Sequence, residues 1–380
     1  MKSTSIDSCA ALRGEGPSSP LGNGCSGSSS RRSGNDTTLL RQHVLELADQ
    51  LADHGHGDLL EGIFRHLIAI GHATREQSDW AFLHGALADI RDGLRVFCSH
   101  RDRRKVGVVG SARVPPDSAV YQQAVDLSRQ LAASGFEVIT GAGEGVMEAA
   151  NRGAGQGRSY GLNIQLPFEF APNRYIDPKN KLVVFRYFFT RKHFLVRESD
   201  ALVAMPGGVG TLDELFEALT LIQTAKTVPV PVVLLAPDGD DYWQRWKNYM
   251  VKSVEERGMV SPADAQIYDQ VGSVDAAVGV IRRFYRSFHS CRFLGGERLQ
   301  LLLHGAPTDE QLKVMNHTFS DLLHAGTIEP FTHRSEQGVY PGLQFQFDHR
   351  CMGRLYGLIR HINGLPLSGG TRLEHPEQRQ

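Results

Sequence analysis

Three glycines, a proline, a threonine and a glutamate stand close together in "AMPGGVGTLDELFEALTLIQ", residues 204–223. At a strand-to-helix junction such residues make an anion cradle. Pro206 ends an apolar run, and Gly207, Gly208 and Gly210 admit backbone approaches that a side chain would block. The free N–H groups and positive dipole end of the helix that follows then attract phosphate. Leu212, Leu215, Phe216, Leu219 and Ile222 repeat at helical spacing, so this helix packs one face on a sheet. Thr211 and Glu214 also have a plainer reading, because T-x-x-E before an apolar-periodic helix is a capping box. Capping accounts for those two side chains but not for the glycines and proline ahead of them.

A second glycine-bearing turn, "TGAGEGVMEAANRGA", places Gly141, Gly143 and Gly145 between a strand ending at Thr140 and a helix starting near Val146. It approaches a dinucleotide fingerprint, but the spacing differs and no acidic residue closes the next strand to hold a ribose. Upstream of the cradle, "FFTRKHFLVRESDALVAM" puts Arg191 and Lys192 about ten residues before the cradle's strand. From there they reach the rim of a cleft or, as such pairs usually do, lie in a solvated basic face.

These residues need a scaffold, and the apolar pattern supplies one. Short apolar runs at 105–110, 136–140, 160–166, 182–185, 201–205 and 231–236 alternate with amphipathic stretches such as 119–134 and 187–199. That alternation specifies an α/β fold, a Rossmann-like doubly wound parallel sheet covered by helices. The chain divides into a Ser- and Gly-rich flexible tail at 1–36, a helical segment at 37–100, the nucleotide-binding domain at 101–290, and a small α+β module at 291–380 with a frayed end. Within the helical segment, Gly55, Gly57 and Gly71 read as breaks between helices.

Composition narrows the function. The 380 residues carry 41 Lys+Arg against 42 Asp+Glu, with no basic arm or acidic tail, so neither a nucleic-acid nor a membrane-surface role gains support. Cys9, Cys25, Cys98, Cys291 and Cys351 are scattered and never in CxxC spacing, which argues for a reducing compartment, hence a cytoplasmic protein. No run is long and apolar enough to span a membrane. His54, His56, His66 and His72 lack a carboxylate or Cys at ligand spacing, so no metal site is expected. Asp7, Glu15 and Asp36 weigh against a transit peptide at the start.

Taken together, "GSA" at 110–112, "GAGEGVMEAANRGA" at 141–154, "GLNIQLP" at 161–167, "TRKHFLVRESDALVAMPGGVGTLDELFE" at 190–217 and the following "LTLIQTAK" resemble the LONELY GUY (LOG) family of nucleoside 5′-monophosphate phosphoribohydrolases over roughly residues 105–285. Members have often been labelled lysine decarboxylases, but nothing marks Lys192 as a pyridoxal-phosphate lysine, and no cofactor is expected. The resemblance implies a homodimer or higher homo-oligomer that releases free base and ribose 5-phosphate from AMP or a cytokinin ribotide. It assigns the 5′-phosphate to Gly207, Gly208, Gly210 and Thr211, and catalysis to Arg191 and Glu214. Gly110, Ser111, Gly143, Met147 and Lys192 would line the nucleotide site, supported by Arg197 and Glu217. Ala142 departs from the family, many members having glycine there, and the outer domains belong to a longer branch than the compact cytokinin-activating enzymes. The alternative is a carrier that holds a nucleotide or molybdenum cofactor in the same cleft without turning it over.

Overall fold

In the computed structural model the described residues are 42–46, 49, 55–167, 171–295, 297–335 and 338–367. The tail at 1–36 and the frayed end both lie outside them. The chain forms two compact units, 1–77 and 78–380. The first contains α1 (Gly57–Ala73), which runs through Gly71 rather than breaking there and ends where Thr74 turns extended.

The second unit is built on seven parallel strands: β1 (Lys105–Val109), β2 (Glu137–Thr140), β3 (Ser159–Ile164), β4 (Leu182–Phe185), β5 (Ala201–Ala204), β6 (Val232–Leu235) and β7 (Tyr268–Val271). They lie in the order β4-β3-β2-β1-β5-β6-β7. The inner strands are buried on both faces, which is why they read as unbroken Val, Ile, Leu and Ala runs. β7 is polar, half-exposed and at the edge, and its short run carries no apolar signal.

Helices α3 (Ala119–Ala133), α4 (Val146–Ala154) and α8 (Val274–Phe284) cover one face, burying Tyr121, Leu127, Leu131, Ala149 and Ile281 against Val106, Val108, Val203 and Val233. The other face carries α2 (Gln77–Phe97), α5 (Phe188–Glu198), α6 (Val209–Gln223) and α7 (Tyr242–Tyr249). The strand order reverses between β1 and β5, and ligands of doubly wound sheets bind at the carboxyl ends of the strands flanking such a reversal. The cradle ends β5 and the Gly110–Ala112 segment ends β1, so both fall at that point.

Helix α2 sets the position of α5. Gly93 lets the two helices touch, since a Cβ there would lie 2.7 Å from a carbon of the Phe194 ring. Asp89, fully buried, accepts from the backbone N–H groups of Arg186 (3.0 Å) and Tyr187 (3.1 Å) and from Thr190 Oγ1 (2.7 Å), anchoring the first turn of the helix that carries Arg191. Asp89→Ala removes the acceptor of the Arg186 and Tyr187 amides and leaves Thr190 Oγ1 only its bond to Tyr187 O (2.9 Å), and should lower stability by about 1–3 kcal/mol in denaturant titration.

Beyond the parallel sheet, β8 (Phe288–Leu294), β9 (Arg298–Leu303), β10 (Leu323–Ser335) and β11 (Gly338–Phe347) form an antiparallel sheet in the order β10-β11-β9-β8, accompanied by α9 (Asp309–Thr318) and α10 (Met352–Gly364). One hydrophobic cluster runs from Leu202, Leu234 and Ile222 to Leu301, Phe347 and Leu358. The Tyr356 hydroxyl of α10 ties the two parts, donating to Val230 O (2.7 Å) and accepting from Val230 N (3.1 Å).

Candidate functional site

Three loops meet at the carboxyl ends of β1, β2 and β5. Ser111 N donates to Pro206 O (3.2 Å), and Val146 N donates to Ser111 O (3.0 Å), so the β1 loop bridges the cradle and the start of α4. Gly110 permits this closure, because a Cβ would press on Val146 at 2.6 Å. In the β2 loop, Ala142 takes a positive φ of 59°, a conformation natural to glycine. Thr140 Oγ1 accepts from Ala142 N at 2.9 Å and Asn173 Nδ2 donates to Gly143 O at 3.0 Å, holding that conformation.

Helix α6 begins at Val209, with Gly208 as its flanking residue and no side-chain cap. Thr211 is therefore the third helical residue and Glu214 the sixth, and the capping-box reading does not hold. Gly208, Val209 and Gly210 are exposed, and a Cβ on Gly208 or Gly210 would meet only open space, so the first-turn amides face an accessible volume. Gly207 is different. A Cβ there would strike the buried Thr211 side chain, with Thr211 Cβ at 2.6 Å, and its carbonyl accepts from Tyr242 Oη at 2.7 Å. Gly207→Ala should displace Thr211 and distort the cradle, costing about 1–3 kcal/mol of stability and raising the apparent Kd for phosphate-bearing ligands, both readable by calorimetry.

One turn below the cradle, Glu214 lies on the same helix face as Gly210 and Thr211, at i+4 and i+3. Its Oε1 is 3.1 Å from Arg191 Nη2, and each side chain is only 12% exposed. Arg191 Nε also donates to Leu162 O at 2.7 Å, so α5, α6 and β3 are joined through one guanidinium. Gly141 packs close to that guanidinium, and a Cβ there would strike it and also lie 2.8 Å from Met147 Sδ. Burial pushes the Glu214 carboxyl above its ordinary value of 4.5, with Arg191 pulling the other way. A second-turn, desolvated carboxylate held by one arginine is thus a better proton acceptor than one sitting at the positive helix end.

The remaining residues divide. Lys192 Nζ binds Glu217 Oε2 (2.8 Å) and Asp213 Oδ1 (3.1 Å), a strut between α5 and α6. Desolvation pulls this ammonium down, but the bonds to Glu217 and Asp213 outweigh it and hold it above its usual range. Arg197 is in the last turn of α5, six residues or about 9 Å beyond Arg191 along the axis, pairing with Glu198 at 3.5 Å, and is not brought to the cleft. Asn173, Tyr242 and Asp89 position the site without having been singled out by sequence. The first lies in a connecting loop, the second opens a separate helix, and the third lies on the helix ahead of the first strand.

A switch point with a glycine-bearing helix start and a buried Arg–Glu pair defines a Rossmann-type α/β protein. A family model described as "Possible lysine decarboxylase" matches residues 147–282. A probable cytokinin riboside 5′-monophosphate phosphoribohydrolase of Oryza sativa is 34% identical over 170 residues, 44% of this chain and 66% of that protein. The cytokinin riboside 5′-monophosphate phosphoribohydrolase of Mycobacterium tuberculosis is 30% identical over 157 residues, 40% of this chain and 79% of that protein. The chain belongs to this LOG family. Among solved structures, the molybdenum cofactor binding protein from Rippkaea orientalis overlaps 47% of this chain and 96% of its own at 23% identity, with a TM-score of 0.36, too loose an overlap to bear on function. No helix among the described residues is long and apolar enough to cross a membrane, and none of their His, Cys, Asp and Glu side chains cluster as a metal site.

Proposed function

We propose that the protein hydrolyses the N-glycosidic bond of a nucleoside 5′-monophosphate, giving free base and ribose 5-phosphate. The single observation that carries this reading is the Arg191·Glu214 pair, buried one turn beneath open helix-start amides. The amides of Gly208, Val209, Gly210 and Thr211 grip the 5′-phosphate. The ribose then extends toward Glu214. Departure of the base builds positive charge on the sugar, and the carboxylate stabilises that charge more in the transition state than in the ground state. With its proton affinity raised by burial, Glu214 also accepts a proton from the attacking water, and the departing base nitrogen takes up a proton in exchange, directly from Glu214 or through solvent, which restores the carboxylate. Arg191 fixes the carboxylate and offers its remaining N–H groups to phosphate or ribose oxygens.

AMP and cytokinin ribotides are the substrates we assign, and the cytoplasm is the compartment, in keeping with the free thiols of Cys98, Cys291 and Cys351. We assign a homodimer or larger assembly, supported by the aromatic cluster of the exposed Phe82 and Phe189 with the half-buried Tyr187, whose rings lie 5.3–5.9 Å apart. Light scattering during gel filtration should give at least twice the chain mass of 41.9 kDa. Incubation with a panel of nucleoside monophosphates should release base and ribose 5-phosphate from at least one purine member. Tight binding of panel members with no turnover would instead identify a carrier.

A further inference from the structure

At the opposite end of the parallel sheet, next to the amino ends of β1, β2 and β3, lies an open cleft of about 1140 Å³ between the Rossmann-like part and the antiparallel part. Its charged lining is of one sign: Arg103, Arg104, Arg158, Arg282, Arg283 and Arg286, with no carboxylate, while His304, its imidazole pulled down to about 4 by burial, adds a neutral polar group. In a chain whose charges balance, this is a strong local segregation. Two of the arginines are already engaged. Arg103 pairs with Glu137 at 3.3 Å, and Arg104 lies 3.7 Å from Asp200 and stacks over the Tyr285 ring.

The other four, Arg158, Arg282, Arg283 and Arg286, have no carboxylate partner among the described residues. Placement in the last turn of α8 favours cations against the helix dipole and would account for Arg282 and Arg283 alone. It does not account for Arg158, which precedes β3, or Arg286, which follows the helix, converging on the same space. Nδ1 of His304, a further lining residue, is buried without a hydrogen-bond partner among the described residues.

We propose that this cleft is a second, non-catalytic site that binds a small molecule carrying several phosphates. Four uncompensated guanidiniums exceed what one phosphate of charge about −2 neutralises, whereas a di- or triphosphate group matches them in charge and offers enough oxygens for paired N–H contacts. The volume suits a nucleotide-sized ligand. Phe136, Tyr285, Leu365 and Pro366 supply an apolar wall for its uncharged portion. The site is separate from the cradle, since β1, with five residues, puts about 15 Å between them.

Titration calorimetry at fixed ionic strength tests this with inorganic tripolyphosphate and inorganic phosphate as probes. Tripolyphosphate should bind the wild-type protein at least about tenfold more tightly than phosphate. The triple variant Arg282→Gln, Arg283→Gln, Arg286→Gln should weaken tripolyphosphate by at least about tenfold, and Arg158→Gln alone should weaken it measurably. Absence of tripolyphosphate binding, or binding that these variants leave unchanged while their melting temperatures match wild type, would overturn the proposal. Neither readout depends on nucleotide turnover, so failure here and failure of the hydrolase reading are separable.

Discussion

Glu214→Gln should lower kcat by about 10²–10⁴ while leaving KM for a nucleoside monophosphate within a few-fold of wild type. The cradle amides that bind phosphate do not involve this side chain, so ground-state binding survives. What is lost is the negative charge facing the developing oxocarbenium ion and the acceptor for the proton of water. The pH profile gives an independent signature. Since burial raises the Glu214 carboxyl above 4.5, activity that needs the ionised form should fall on an acid limb displaced toward neutrality, and the glutamine variant's residual activity should lack that limb. For stability the sign is opposite. A raised carboxyl favours folding when protonated, a contribution present below the ordinary carboxylate value and lost as pH rises through the raised one. At pH 7 the neutral glutamine relieves the desolvated carboxylate but leaves the Arg191 guanidinium without its counter-charge, so the two effects oppose and the melting temperature should shift by only a few degrees. A collapse in stability would mean that the residue is structural.

Arg191→Ala should cost a similar 10²–10⁴ in kcat/KM, for two reasons that the lysine variant separates. First, it removes the cation 3.1 Å from Glu214 that opposes the burial shift, so the carboxyl rises further and the acid limb moves to still higher pH. Second, it removes the planar fork that simultaneously donates to Leu162 O and clamps the carboxylate. Arg191→Lys restores the charge without the fork. It should return the acid limb toward the wild-type position yet recover only a small part of the rate. Equal rates for lysine and arginine would show that charge alone suffices.

Much of this site was legible because its residues sit where one physical requirement dominates. The inner strands are buried on both faces, so their apolar runs stand out, and the predicted ends fall within two residues of those found. The cradle announces itself because only glycine tolerates the approach of Thr211 to residue 207. Other features depend on tertiary context. The helical spacing of 309–326 runs on through Leu322 and Leu323, but α9 stops at Thr318 and Leu323 opens a 13-residue edge strand paired with β11. The spacing of T-x-x-E matched a capping box at Thr211, whereas the helix begins three residues earlier, after Gly208, and releases the carboxylate to Arg191. Asp89 is distant in sequence, and only the packing of α2 on α5 at Gly93 reveals that it anchors the helix carrying Arg191. The arginine cleft is likewise invisible along the chain, assembled from segments more than a hundred residues apart.

A crystal structure of the Glu214→Gln variant with AMP bound tests the hydrolase reading most directly. The phosphate should lie on the amides at the start of α6, with the anomeric carbon next to the residue 214 side chain and Arg191 in contact with phosphate or ribose. A nucleotide seated with its sugar away from residue 214, or found solely in the arginine-lined cleft, would contradict it.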